Sequence, residues 1–119
     1  MDNEISSEEF KKLLKKKHKY RAKTVKYNGN TYSSKKEANR AQELDLMVLS
    51  GEVKSWERQI RVPLHVNGKR IGYYIPDFLV IDKDGNEWYE DTKGYATQLF
   101  KWKLKHFRAE YPGKELRIL

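Results

Sequence analysis

The chain has 119 residues, 38% of them hydrophobic and 35% charged, with no cysteine and a formal net charge of +8. That size suits one domain around a modest core. The absence of cysteine excludes disulfides, thiolate metal sites and cysteine nucleophiles and fits a reducing compartment. The acidic opening Met1-Asp2-Asn3-Glu4 is followed by no long apolar run, so neither a signal peptide nor a membrane span is expected.

Ser6 and Glu9 stand at capping-box spacing and predict a short helix with Phe10, Leu13 and Leu14 on one sticky face. Eight basic residues follow between Phe10 and Lys23 without one acid: Lys11, Lys12, Lys15, Lys16, Lys17, Lys19, Arg21 and Lys23. The remainder is neutral, with 17 residues of each sign. A basic run localised at 10–23, within an N-terminal arm (1–23) ahead of the body (24–119), reads as an anchor for a polyanion, most often nucleic acid. The blander reading is a solvated tail.

Thr24 to Tyr27 and Thr31-Tyr32 form a hairpin through Asn28-Gly29. Ser34-Lys35-Lys36-Glu37 then opens a long helix that ends near Ser50, at Gly51. Its inward stripe is expected to hold Ala41, Leu44 and Val48. Glu37 shares that spacing, where an idle carboxylate is expensive. Glu43 falls off the stripe.

After Gly51 the period changes to two. Ile60, Val62, Leu64 and Val66 alternate with Gln59, Arg61, Pro63 and His65 as a strand, and Asn67-Gly68 turns it back into a strand from Ile71 to Ile81. Pro63 and Pro76 cannot donate to a ladder and are expected at an edge, a strand end or a bulge. Lys83-Asp84-Gly85 makes a three-residue turn into Glu87 to Lys93. Thr97 to Tyr111 is a second long helix with Phe100, Leu104, Phe107 and Tyr111 inward, widened by Leu99, Trp102 and His106. Lys101, Lys105 and Arg108 recur on another face. Leu116 to Leu119 reads as a last strand. The fold expected is α/β, a central mixed sheet flanked by helices, behind a basic N-terminal helical extension.

The chemistry gathers on the second hairpin. The Asp84-Gly85 turn pairs Asp82 with Asn86 and so sets Asp77 opposite Asp91, while Asp91 and Lys93 point the same way by alternation. Facing carboxylates repel unless a cation sits between them. Mg²⁺ is typically held by one or two carboxylates plus substrate phosphate, which Asp77 and Asp91 could supply, with the carbonyl of Thr92 as a further oxygen. Lys93 could orient a metal-bound water or neutralise charge on a phosphate. Glu90 faces away from Asp91 and is a poor ligand. His18, His65 and His106 show no metal-ligand spacing, and neither a nucleophile elbow nor a Gly-rich phosphate loop is present. The plain alternative is a turn-adjacent Asp77 and an exposed Asp91–Lys93 ion pair.

Glu37 on the first long helix, Pro76-Asp77, and Asp91-Thr92-Lys93 resemble the signature of the PD-(D/E)XK nuclease superfamily. Tyr74 to Leu79 and Glu90 to Gly94 are similar to the phage junction-resolving endonuclease I family and to the endonuclease subunit of heteromeric transposases, which also share a Gln at the position of Gln59. Short phage-borne proteins with Ser-Lys-Lys-Glu-Ala and Asp-x-Lys-Gly segments resemble it further. The similarity runs from about Tyr32 to Leu119, and Asp91 stands where Glu is commoner.

The resemblance implies a restriction-endonuclease-like αβββαβ core and Mg²⁺-dependent phosphodiester hydrolysis, with Mn²⁺ able to substitute. It assigns Glu37, Asp77 and Asp91 to the metal and Lys93 to the water. It implies a DNA endonuclease of a phage or mobile element in the bacterial cytoplasm, acting on branched or structured DNA. The alternatives are a non-catalytic nucleic-acid-binding protein and an RNA-directed nuclease. Two copies would pair, since resolving a branch takes two incisions. Candidate DNA contacts are the eight basic residues of the arm with Lys101, Lys105 and Arg108.

Overall fold

The computed structural model describes residues 8, 24–92 and 97–119. The predicted N-terminal helix, the basic arm and Lys93 lie outside the described residues, apart from Glu8, which is helical and exposed. The chain divides into two compact units, residues 1–38 and 39–119.

In the first unit, β1 (Val25–Tyr27) and β2 (Asn30–Tyr32) pair antiparallel, Val25 opposite Tyr32. Asn28 and Gly29 turn the chain with φ of 49° and 81°, the left-handed pair that a two-residue hairpin loop demands and that Asn-Gly supplies cheaply. Helix α1 (Lys35–Ser50) begins in this unit and continues into the second.

The second unit holds a four-stranded mixed sheet. β3 (Val53–Arg58), β6 (Phe78–Asp82) and β7 (Glu87–Asp91) are antiparallel neighbours, and β8 (Leu116–Ile118) lies parallel to β7. Helix α2 (Gln98–Glu110) makes the crossover between the two parallel strands, as such a pair requires. One helix, three antiparallel strands, a helix and a last strand is the order expected. β4 (Val62–Val66) and β5 (Lys69–Tyr74) form a separate two-stranded ribbon.

One expected strand is broken in two and another starts late. The run from Ile71 to Ile81 is interrupted at 75–77, and the strand expected at 59–66 begins only at Val62, with a further strand, β3, before it. Three residues are skipped on each side. Arg58 pairs with Phe78 before the break and Val62 with Tyr74 after it, so one long hairpin keeps its register through a pinch. Gln59, with φ 53°, donates its N–H to the carbonyl of Asp77 at 3.1 Å inside the pinch. Pro76, which has no N–H to lose, is fully buried there.

The two faces of the sheet differ. Trp56, Phe78, Val80, Trp88 and Glu90 share one face by cross-strand pairing, and α1 meets it through Asp45, whose Oδ1 accepts from the Trp56 indole at 2.9 Å. The other face carries Leu79 and Tyr89, and the core there joins Tyr89 to Val62, Leu64 and Tyr74 of the ribbon and Phe100 and Phe107 of α2. Tyr89 meets Phe107 edge-on at 5.8 Å and Tyr74 lies 5.2 Å from the same ring.

Several expected core residues point elsewhere. Val48 is 38% exposed, because in the last turns of α1 it is Asp45 that turns to the sheet. Leu99 and Trp102 are each 66% exposed. Further along the same side of α2, His106 Nε2 bonds the His65 carbonyl at 2.9 Å and Glu110 accepts from the His65 backbone N–H at 2.7 Å.

Candidate active site

The pinch brings the two predicted aspartates to the open end of the β6–β7 ladder. Pairing ends at Phe78 opposite Glu90, so the next position in register sets Asp77 against Asp91, as the Asp84-Gly85 turn predicts. That turn closes as expected: Asp82 N–H bonds the Asn86 carbonyl at 2.8 Å, and Gly85 takes a φ of 85°.

Each carboxylate has one oxygen held by a neutral donor. Asp77 Oδ2 accepts from both the N–H and the hydroxyl of Thr92, at 2.7 Å each. Its Oδ1 accepts no hydrogen bond among the described residues. Asp91 is fully buried, and its Oδ2 accepts from the Tyr74 hydroxyl at 2.8 Å. Burial pushes the Tyr74 phenol well above its ordinary range, and the negative charge and hydrogen bond of Asp91 push it further. The charge of Asp77 acts in the same direction and that of Arg108 against it. Both carboxylates and one residue of the basic row on α2 are therefore felt at a single phenol. Thr92 meets Asp77 through donors, beside the carbonyl role expected for it.

Glu90 takes the opposite face, as alternation predicts. It is fully buried and gripped by Arg40 of α1, whose Nε donates to Oε1 and Nη2 to Oε2, both at 2.7 Å. The Trp88 indole donates to Oε2 at 2.8 Å. Arg40 also bonds Glu43 at 2.9 Å, so the off-stripe Glu43 is spent on the helix surface. The fork with Glu90, first among several causes, raises the Arg40 guanidinium above its ordinary range.

Glu37 belongs to the first unit and is 2% exposed. Its backbone N–H donates to Ser34 Oγ at 3.1 Å, one half of the capping box. Its side chain takes the Ser33 hydroxyl on Oε2 at 2.6 Å. Lys101, Lys105 and Arg108 are all exposed. Among the described residues no group of three or more His, Asp or Glu side chains is assembled to hold a metal ion. Lys93 lies outside the described residues and Glu37 belongs to the first unit; in the second unit Asp77 and Asp91 meet the donors named above.

Tyr74 and Arg40 are the contributors that sequence reasoning missed. Tyr74 carried a signal, since it shares inward parity with Val62 and Leu64 in the ribbon and a buried hydroxyl needs an acceptor. Arg40 carried none, for its partner lies 50 residues away.

Fold and site together define a mixed α/β protein with a buried Asp91 and a half-buried Asp77 at the end of a sheet. The chain belongs to the family described as a protein of unknown function, DUF1064, whose model matches residues 17–119. No curated protein and no solved structure matches it.

Proposed function

We propose that this protein is a metal-dependent endonuclease that hydrolyses phosphodiester bonds in DNA, with branched or structured DNA as its substrate. The observation that carries this reading is the Asp77–Asp91 pair, each acid steadied on one oxygen by a donor that brings no charge. Two carboxylates at one strand end suit a hard divalent cation such as Mg²⁺, and donors behind a ligating carboxylate orient it. In that reading Asp77 and Asp91 hold the ion, joined by Glu37 as the resemblance implies. A bound Mg²⁺ would supply Lewis-acid polarisation of the phosphate and a more acidic water.

The chain's own residues have separate tasks. Thr92 fixes one oxygen of Asp77 and leaves Oδ1 toward the ligand. Tyr74 orients Asp91 and, its phenol pushed up, remains a hydrogen-bond donor throughout the working pH range. Lys93 would sit beside the attacking water and compensate charge on the phosphate. Arg108, with Lys101 and Lys105 along the same exposed helix, would track the nucleic-acid backbone, and the basic arm would add to the hold. Two copies would supply two incisions across a branch.

The test incubates the purified chain with duplex, nicked, forked and four-way DNA, with Mg²⁺ and with chelator. Cleavage that needs Mg²⁺ and favours the junctions is the expected result. Binding without cleavage under every condition would replace the reading with a non-catalytic nucleic-acid-binding protein.

A further inference from the structure

The β4–β5 ribbon carries positive charge with no acid beside it in sequence. Between Arg61 and Tyr74 the chain has Arg61, Lys69 and Arg70 and no acidic residue. Its inner face is spent on the core, through Val62, Leu64 and Tyr74. Pro63 and Tyr73, which pair across the ladder, stand on the outer face. Two guanidiniums converge there: Arg61 lies over the Tyr73 ring at 5.9 Å and Arg70 over the same ring at 5.0 Å. Both arginines are exposed, and neither forms an ion pair with any described residue.

Like charges held on one ring repel, and the ring's negative face offsets only part of the cost. An anion placed between the two guanidiniums removes the repulsion and takes several of their donors at once. The clamp is therefore suited to a phosphate and blind to base identity. Lys69 at the turn adds a third positive charge along the same ribbon. A two-stranded ribbon is also of a size that the major groove of duplex DNA admits, while the deep, narrow major groove of duplex RNA does not.

We propose that the outer face of the β4–β5 ribbon is a DNA-backbone contact in which Arg61 and Arg70, seated on Tyr73, clamp one phosphate of a duplex. The proposal rests on the nucleic-acid reading above and extends it to the outer face of the ribbon.

The experiment measures binding of the full chain to a short DNA duplex with chelator present, as a function of salt, so that hydrolysis plays no part. Arg61→Gln with Arg70→Gln should weaken binding and reduce the log–log salt slope by about 0.9, the contribution of one phosphate contact. A control pair, Lys54→Gln with Lys83→Gln, removes the same charge from exposed positions at the opposite end of the sheet and should leave the slope unchanged. Duplex RNA should compete more weakly than duplex DNA. An unchanged slope in the arginine pair, an equal drop in the control pair, or a wild-type chain that does not bind the duplex overturns the clamp. Cleavage by the same preparations is scored separately with Mg²⁺. A chain that shows the predicted slopes and never cuts would sink the nuclease reading and leave the ribbon standing.

Discussion

Glu90 and Asp91 are neighbours in the chain, and both are fully buried, yet strand alternation sends them to opposite faces and into different company. Glu90 meets a guanidinium fork and an indole. That arrangement neutralises the acid and fastens α1 to β7, at the desolvation cost that any buried pair carries. Asp91 meets a phenol, which orients an oxygen and contributes no charge, and its register partner is a second acid. Two carboxylates equally buried thus meet different donors, a cation with an indole for one and a neutral hydroxyl for the other.

The widest gap between the two should appear in turnover. Asp77→Asn and Asp91→Asn should each lower Mg²⁺-dependent cleavage by about a thousandfold, the rate equivalent of several kcal/mol of charge stabilisation, while DNA binding persists. Arg40→Met should leave turnover per folded molecule unchanged. Wild-type cleavage by both Asn variants would remove the distinction altogether.

Stability should respond in the reverse sense. Arg40→Met strands Glu90 as a buried charge and should cost about 3–5 kcal/mol in urea denaturation, with much of the loss recovered when Glu90→Met is added. Asp91→Asn should keep or raise the metal-free melting temperature, because it relieves repulsion with Asp77. A negligible cost for Arg40→Met would show that Glu90 does not depend on the fork.

A smaller effect is expected at Tyr74. Replacement by Phe removes one donor from a buried carboxylate and should cost about 1–3 kcal/mol. The loss should shrink in Asp91→Asn, whose neutral amide tolerates burial better. Equal costs in both backgrounds would show that the hydroxyl acts independently of Asp91.

The mildest effect is at the far side of the ribbon. The His65 backbone N–H, and then its ring, hold the Glu110 carboxyl below its ordinary value of 4.5, with burial opposing. A depressed carboxylate contributes stability above its unfolded pKa and loses it as pH falls through the lower folded value. Melting temperatures measured on acidification below about pH 4.5 should therefore fall less steeply for Glu110→Gln than for wild type. Parallel curves would count against the contact.

Turn chemistry made the registers legible. Asn28-Gly29, Asn67-Gly68 and Asp84-Gly85 all contain residues that accept a positive φ, and at each of them Gly takes one, as do Asn28 and Asn67. With the last turn placed, Asp77 falls opposite Asp91 by counting. The breaks were not legible, because Gln59 adopts φ 53° without belonging to a residue type that favours it. β3 escaped notice because its register shifts between Val53 and Ser55, which leaves Val53 and Trp56 three apart and destroys the period-two pattern. The burial of Phe100 and Phe107 was evident in helical spacing, but the exposure of Leu99 and Trp102, on the same side as His106 and Glu110, depends on where along α2 the ribbon packs. That is a tertiary fact, carried by His65, His106 and Glu110.

The register carried through the pinch has a consequence for how such a chain can change length. Insertions at the Asn67-Gly68 end extend the ribbon by about 3.4 Å for every residue added to both strands, and they fall on the far side of Gln59 and Asp77 from the acids. Val62, Leu64, Tyr73 and Tyr74 lie between such an insertion and the pinch and keep the faces they present. Relatives with longer or shorter ribbons are thus expected to vary the reach of the molecule while the spacing of its two aspartates stays constant.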